Sequence, residues 1–174
     1  MSNEKLKLEL GGGSKPRDGF VQIGFTSTEY PIDLETVGKR SISKTPLPFE
    51  DDSVEEVYSA HCLEHVANLD GVLWEICRVC HNGARVEIHV PHYLHPDAMC
   101  PSHKHTIGEN SVKGWGKMDF AGKRLDLVTT KYVASLSFDE AKELHPTWTD
   151  SQIMRYVPGA CHELRFIFNV RRVS

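Results

Sequence analysis

The chain has 174 residues with a net charge of −4 and a pI near 6.2, and 40% of its residues are hydrophobic and 25% charged. That length holds one domain with a sizeable core, and the acidic balance argues against nucleic acid or an anionic membrane as a partner gripped by charge. No apolar run approaches the ~20 residues needed to span a bilayer. Met1-Ser2-Asn3-Glu4-Lys5 lacks the apolar core of a signal peptide. Five cysteines, an odd number, sit in apolar sequence and point to reduced thiols in a cytoplasm.

Leu6–Leu10 alternates apolar and polar residues and runs into Gly11-Gly12-Gly13. This predicts a first strand ending in a turn where a ligand meets bare main chain. Residues 14–19 read as a turn, so a compact loop leads to a second strand at 20–25. A third, weak strand lies near 37–43, and a fourth at Val54–Ala60. Over 61–79 the residues Leu63, Val66, Leu69, Val72, Leu73, Ile76 and Val79 recur at helical spacing, with Asn82-Gly83 as the stop. Residues 84–90 are β-branched and read as a buried strand closed by Pro91. The segment 91–116, rich in His, Pro and Gly, is too long for a connector and reads as an irregular, lid-like insertion. Strands at 124–137 and 162–173 flank a short helix at Phe138–Leu144. Alternating strands and helices favour an α/β fold with a mostly parallel sheet, here as a single domain over 1–174.

Histidines and cysteines raise the question of a metal. His89, His92, His95, Cys100, His103 and His105 crowd one region, and Cys77-Arg78-Val79-Cys80-His81 contains a CxxC. Zinc needs four ligands brought together tetrahedrally, whereas Cys77 and Cys80 also suit a helix's buried side as small hydrophobes. Neighbouring strand residues point to opposite faces, so His89 and His92 do not converge of themselves. No metal-ligand set is assigned.

Three further stretches join the glycine turn. They are Pro46-Leu47-Pro48-Phe49-Glu50-Asp51-Asp52-Ser53-Val54, then His61-Cys62-Leu63-Glu64-His65-Val66, then Leu73-Trp74-Glu75-Ile76-Cys77-Arg78-Val79 running on to Gly83. In this order they resemble the class I S-adenosylmethionine-dependent methyltransferases, small members with an LPF-D-S-D-V loop, an H-LEH helix start and an E-RVLKPGG helix end. The resemblance covers roughly residues 6–91. It implies a Rossmann-like, mostly parallel sheet with helices on both faces and an antiparallel last strand, here Glu163-Leu164-Arg165-Phe166 and onward.

The resemblance also implies a cofactor site for S-adenosylmethionine. Glu9, Leu10, Gly11, Gly12 and Gly13 match the motif around its amino acid part. Pro48 and Phe49 match the loop flanking the adenine, and Ser59, Ala60 and His61 the floor beside the sulfonium. The acidic residue that takes the ribose hydroxyls in this family is replaced by Gly24, with Gln22 or Glu29 as nearby substitutes. A second acidic residue expected before the LPF loop is replaced within 40–44. Glu64 and His65 stand at a helix start, where an acid favours the helix dipole. The lid supplies substrate-contact candidates His92, His103 and His105, and His61, His92 and His103 are the candidate general bases. The enzyme expected is a cytoplasmic methyltransferase acting on a small molecule or glycan. The alternatives are a non-catalytic relative with a degraded cofactor site and a zinc-binding module. Trp115 and Trp148 are open between core and cleft.

Overall fold

The structure is a computed structural model that describes residues 6–13, 17–24, 29–38 and 46–173. Among these residues six strands form one sheet in the order β2-β1-β3-β4-β6-β5. They are β1 (Leu6–Leu10), β2 (Val21–Ile23), β3 (Val54–Ala60), β4 (Cys80–Pro91), β5 (Lys123–Ala134) and β6 (Cys161–Arg172). β1 pairs in parallel with β2 and β3, and β3 with β4. β6 is antiparallel to both β4 and β5, so the last strand alone runs against the rest. The chain moves from β1 to β2 on one side and returns to β3 on the other. That reversal opens a crevice beyond the carboxyl ends of β1 and β3, where open α/β sheets bind ligands.

The core follows from alternation along the strands. Val57, Val86, Ile88, Leu164, Phe166 and Phe168 all lie below 2% exposure on one side of the sheet. Helix α1 (Leu69–Val79) contributes Val72, Leu73 and Ile76 to the same core. Helix α2 (Glu109–Trp115) seats Trp115 5.9 Å from the Phe168 ring, which makes Trp115 a core residue. The intervening residues, Glu56, Arg85, Glu87 and Arg165, point the other way. Arg85 and Arg165 keep 44% and 40% of their side chains exposed in strands at the middle of the sheet. This second face is open to solvent at these two residues. Among the described residues, 11–20 form no helix and the β2–β3 connection holds the single turn Leu34–Thr36.

Several expected boundaries shift. The single helix over 61–79 is two pieces, a turn at Leu63–His65 and α1, because Val66 is extended and Asn68 donates from Nδ2 to the Val37 carbonyl at 2.7 Å. α1 ends at Val79 rather than at Asn82-Gly83. The Lys123 ammonium reaches its last turn and donates to the carbonyls of Cys77 (2.9 Å), Arg78 (3.1 Å) and Cys80 (2.7 Å). A cation on the final carbonyls closes the helix without a glycine. The insertion at 91–116 is partly regular, holding a turn at Pro96–Met99 and all of α2. Helix α3 (Phe138–Leu144) has the expected bounds, while α4 (Asp150–Tyr156) has no counterpart in the sequence reading. Thr149 caps α4 in a reciprocal bond with Gln152. The strand expected at 37–43, the replaced acid within 40–44, residues 14–16 of the first turn and Phe25 lie wholly or largely outside the described residues. Among the described residues no helix is long and apolar enough to cross a membrane.

Candidate active site

A cleft of about 280 Å³ opens at the crevice beyond β1 and β3. Gly11 and Gly24 form its floor, His61, Cys62 and His65 one wall, and Asp33, Leu34 and Glu35 the other. Gly11 is required by packing as well as by φ. Its φ is +73°, and a Cβ there would stand 2.5 Å from the Cys62 Sγ. Its amide donates to the Ile23 carbonyl at 2.8 Å, tying the turn to β2. A Cβ on Gly24 would come within 3.4 Å of the Gly11 Cα, so the two strand ends meet as bare main chain. The opposite wall is braced by Glu35, whose carboxylate accepts from the Ala67 amide at 2.9 Å. Asp33 caps its turn through the Glu35 amide at 3.0 Å.

His61 sits just past β3 with φ +48°. Its Nε2 stands 2.7 Å from Glu163 Oε2 and its Nδ1 3.6 Å from Glu64 Oε1. The hydrogen bond to Glu163, then the nearby Glu64 carboxylate, raises its pKa to about 9. Burial pushes Glu163 upward, but bonds from His61 and from Arg165 at 2.6 Å outweigh it and hold the carboxyl at about 2. His61 is therefore an imidazolium at neutral pH, which removes it as a ready general base and makes it a hydrogen-bond donor. Glu163 also ends a ladder on the open sheet face. Lys7 meets Glu56 at 3.1 Å, Arg85 meets Glu87 at 2.5 Å, and Glu87 meets His89 at 2.7 Å. The Lys7 and Arg85 pairs, partly open to water, add little stability individually. Their effect is to fix the side chains leading to His61.

Of the expected cofactor residues, Gly11, Gly24 and His61 line the cleft. Glu9 does not. It is 6% exposed, its Oε2 accepts from the Arg17 amide at 2.7 Å, and a Cβ on Gly12 would press against it. Its carboxylate shapes the turn. Leu10 is core, and Gly12 and Gly13 lie outside the cleft lining. Ser59 is buried and Ala60 half-buried behind the floor. Pro48 is exposed and Phe49 packs edge-on to Tyr30 at 5.2 Å, so neither reaches the cleft. Gln22 donates to the Gly13 carbonyl at 2.8 Å, and Glu29 accepts from the Gln22 amide at 2.8 Å. Neither replaces the ribose acid within the cleft.

His92 must be withdrawn as base and substrate ligand. It has no exposure, stacks 4.3 Å from Tyr93, and burial lowers it to about 4. His103 lies against His65, with ring centroids 4.5 Å apart, and His105 Nε2 contacts the Ala67 carbonyl at 3.3 Å. Both sit on the loop beside the cleft without lining it. Cys77 and Cys80 are core side chains, and burial pushes Cys77 up to about 12, so no thiolate forms there. Trp148 is exposed and stacks on His145 at 4.5 Å. The sequence reading missed Asp33, Glu35, Cys62 and Glu163 as site residues. Only the Pro31-Ile32-Asp33 turn, a cap signal, hinted at one of them.

A family model described as a methyltransferase domain matches residues 32–88. YcgJ from Bacillus subtilis superposes with a TM-score of 0.56 at 14% identity, over 99% of this chain and 94% of that one. The fold is that of the class I methyltransferases. Geranyl diphosphate C-methyltransferase from Streptomyces coelicolor, solved with Mg²⁺, geranyl diphosphate and S-adenosyl-L-homocysteine, gives a TM-score of 0.58 at 12% identity, over 98% of this chain and 74% of that one. The same methyltransferase fold carries other chemistry. The [4+2]-cyclase SpnF gives a TM-score of 0.56 at 10% identity, over 98% of this chain and 75% of that one. No curated protein matches the sequence.

Proposed function

We propose that this protein binds S-adenosylmethionine in the cleft beyond β1 and β3 and transfers its methyl group to a small-molecule or glycan acceptor. The observation that carries the reading is an acidic cleft with a bare glycine floor at the switch point of a methyltransferase fold. Gly11 and Gly24 let a ligand lie against main chain, and Leu34 and Val66 give the lining apolar surface suited to a purine. Asp33 and Glu35 supply the carboxylates for ribose hydroxyls that Gly24 cannot. Bound there, the cofactor supplies an electrophilic methyl on a sulfonium cation, which the cleft's negative charge favours.

The chain's own residues mainly position and shield. In-line transfer depends on holding two reactants in line and excluding water. His61, protonated and fixed by Glu163 at 2.7 Å, donates a hydrogen bond that orients the acceptor. At neutral pH it takes no proton, so the acceptor is a nucleophile that needs no strong base. The same acidic cleft repels phosphates, which favours a neutral or cationic acceptor over a nucleic acid. Residues 91–116 act as a lid, with the 100–105 loop docked on the turn after β3: the amides of Lys104 and His105 both donate to the Glu64 carbonyl, at 2.7 and 3.1 Å. The test is methyl-labelled S-adenosylmethionine incubated with the protein and a fractionated small-molecule extract. Label should enter a small-molecule fraction. Label entering only RNA or protein, or none at all, refutes the acceptor class.

A further inference from the structure

Glu64 has a buried carboxylate whose one charged neighbour among the described residues is His61. It is 1% exposed, and neither of its oxygens has a hydrogen-bond partner. A buried charge persists only when paired or bound to a metal. His61 Nδ1 at 3.6 Å offsets the charge in part, but it is beyond hydrogen-bonding distance and His61 bonds Glu163 through its other nitrogen, so both Glu64 oxygens keep unused lone pairs. Helix-dipole stabilisation also fails as an explanation, because the turn at Leu63–His65 is three residues long.

Beside this carboxylate stand two imidazoles. One donor atom each from Glu64, His65 and His103 lie within 4.8 Å of one another. Donors bound tetrahedrally at zinc distances are separated by about 3.3 Å, so small side-chain rotations close the set. The three come from two segments held in register by main chain. Lys104 and His105 donate to the Glu64 carbonyl, and the His103 amide to Cys100 at 2.9 Å. His65 Nδ1 lies 3.3 Å from the Ser102 carbonyl. With the proton on Nδ1 that contact is a hydrogen bond and Nε2 keeps its lone pair, the way outer partners orient metal-binding histidines.

We propose that Glu64, His65 and His103 bind a divalent transition metal of the zinc type. Two imidazoles and one carboxylate make a three-ligand set, which leaves a coordination position for an exogenous donor. His65 also lines the cleft, so that position adjoins the space assigned to the cofactor. The donor class is a thiol, hydroxyl or amine of the acceptor. Metal binding stands independently of methyl transfer, and only the acceptor's role as fourth ligand rests on that reading.

The experiment titrates Zn²⁺ by calorimetry into the chelator-stripped full chain carrying Cys100→Ser, which removes an exposed thiol. Co²⁺ spectra report the donor set. One equivalent should bind, with no thiolate-to-metal charge-transfer band. His103→Gln and Glu64→Gln should each weaken binding by about 100-fold or more while thermal unfolding stays cooperative. His65→Gln provides the same test should either variant fail to fold. Absence of saturable 1:1 uptake, a thiolate band, or affinity kept within threefold in His103→Gln overturns the site. These titrations omit S-adenosylmethionine. Cofactor binding measured on the stripped protein reports separately on the methyltransferase reading.

Discussion

Gly11→Ala puts a number on the contact that forms the floor of the cleft. At φ +73° an alanine carries a left-handed penalty of about 1–2 kcal/mol. The added Cβ also lands 2.5 Å from the Cys62 Sγ and 2.6 Å from its Cβ, so one strand end must move. Overpacking of that kind costs about 1–3 kcal/mol, which gives about 2–5 kcal/mol in all. Cys62→Gly removes both colliding atoms, so the two substitutions should couple favourably, the double variant recovering about 1–3 kcal/mol of the sum. Urea unfolding of the four proteins measures this directly. If Gly11→Ala loses less than about 0.5 kcal/mol, or if no coupling with Cys62→Gly is found, the close approach is not as described.

Lys123→Met strips three carbonyls of their donor and leaves Asp52 without its 2.8 Å partner, and should cost about 3–5 kcal/mol in urea unfolding. A loss under 1 kcal/mol contradicts it. The Lys123 bond also holds the Asp52 pKa below the ordinary value. Its share of stability is complete above that value, fades as pH falls through the folded pKa, and should vanish in Lys123→Met. Arg78→Leu should cost about 3–5 kcal/mol, because Glu75, 2% exposed, loses the 2.7 Å partner that pins the 47–51 loop through the Leu47 and Phe49 carbonyls. In metal-free protein, an NMR titration should place His61 near pH 9, and Glu163→Gln should move it back toward 6.5. Since the folded value is the raised one, the stability from this pair is full below about pH 6.5 and lost as pH rises through 9. A wild-type midpoint near 6.5 refutes the pairing.

The framework of the fold was legible because its signals are local. Leu6–Leu10 alternates into glycine, Val54–Ala60 alternates into His61, and the apolar spacing of 69–79 has the helical period. The open sheet face was legible too, in Arg85, Glu87 and His89 alternating with Val86, Ile88 and Val90, but read as a β-branched run the segment predicts burial on both sides. The end of α1 was not legible, since its cap is Lys123, 43 residues beyond Cys80 and brought there by β5. Most of the site was hidden for the same reason. Glu163 reaches His61 because β6 runs antiparallel beside β4, pairing it with Pro91. His92 misled because its Pro-His context marks a loop, while its register continues the buried side of β4. From the sequence the substitutes for the missing ribose acid are Gln22 and Glu29, on or near β2. Asp33 reaches the cleft through the turn that follows.

The most direct measurement is calorimetric titration of S-adenosylmethionine into the wild-type chain and into Asp33→Ala. The wild type should bind one equivalent in the micromolar range. Loss of a charge-assisted hydrogen bond, about 1.5–3 kcal/mol, should weaken the variant by about 10- to 150-fold. No heat of binding at millimolar cofactor contradicts the assignment of the cleft, and equal affinity in the two proteins contradicts the role of Asp33.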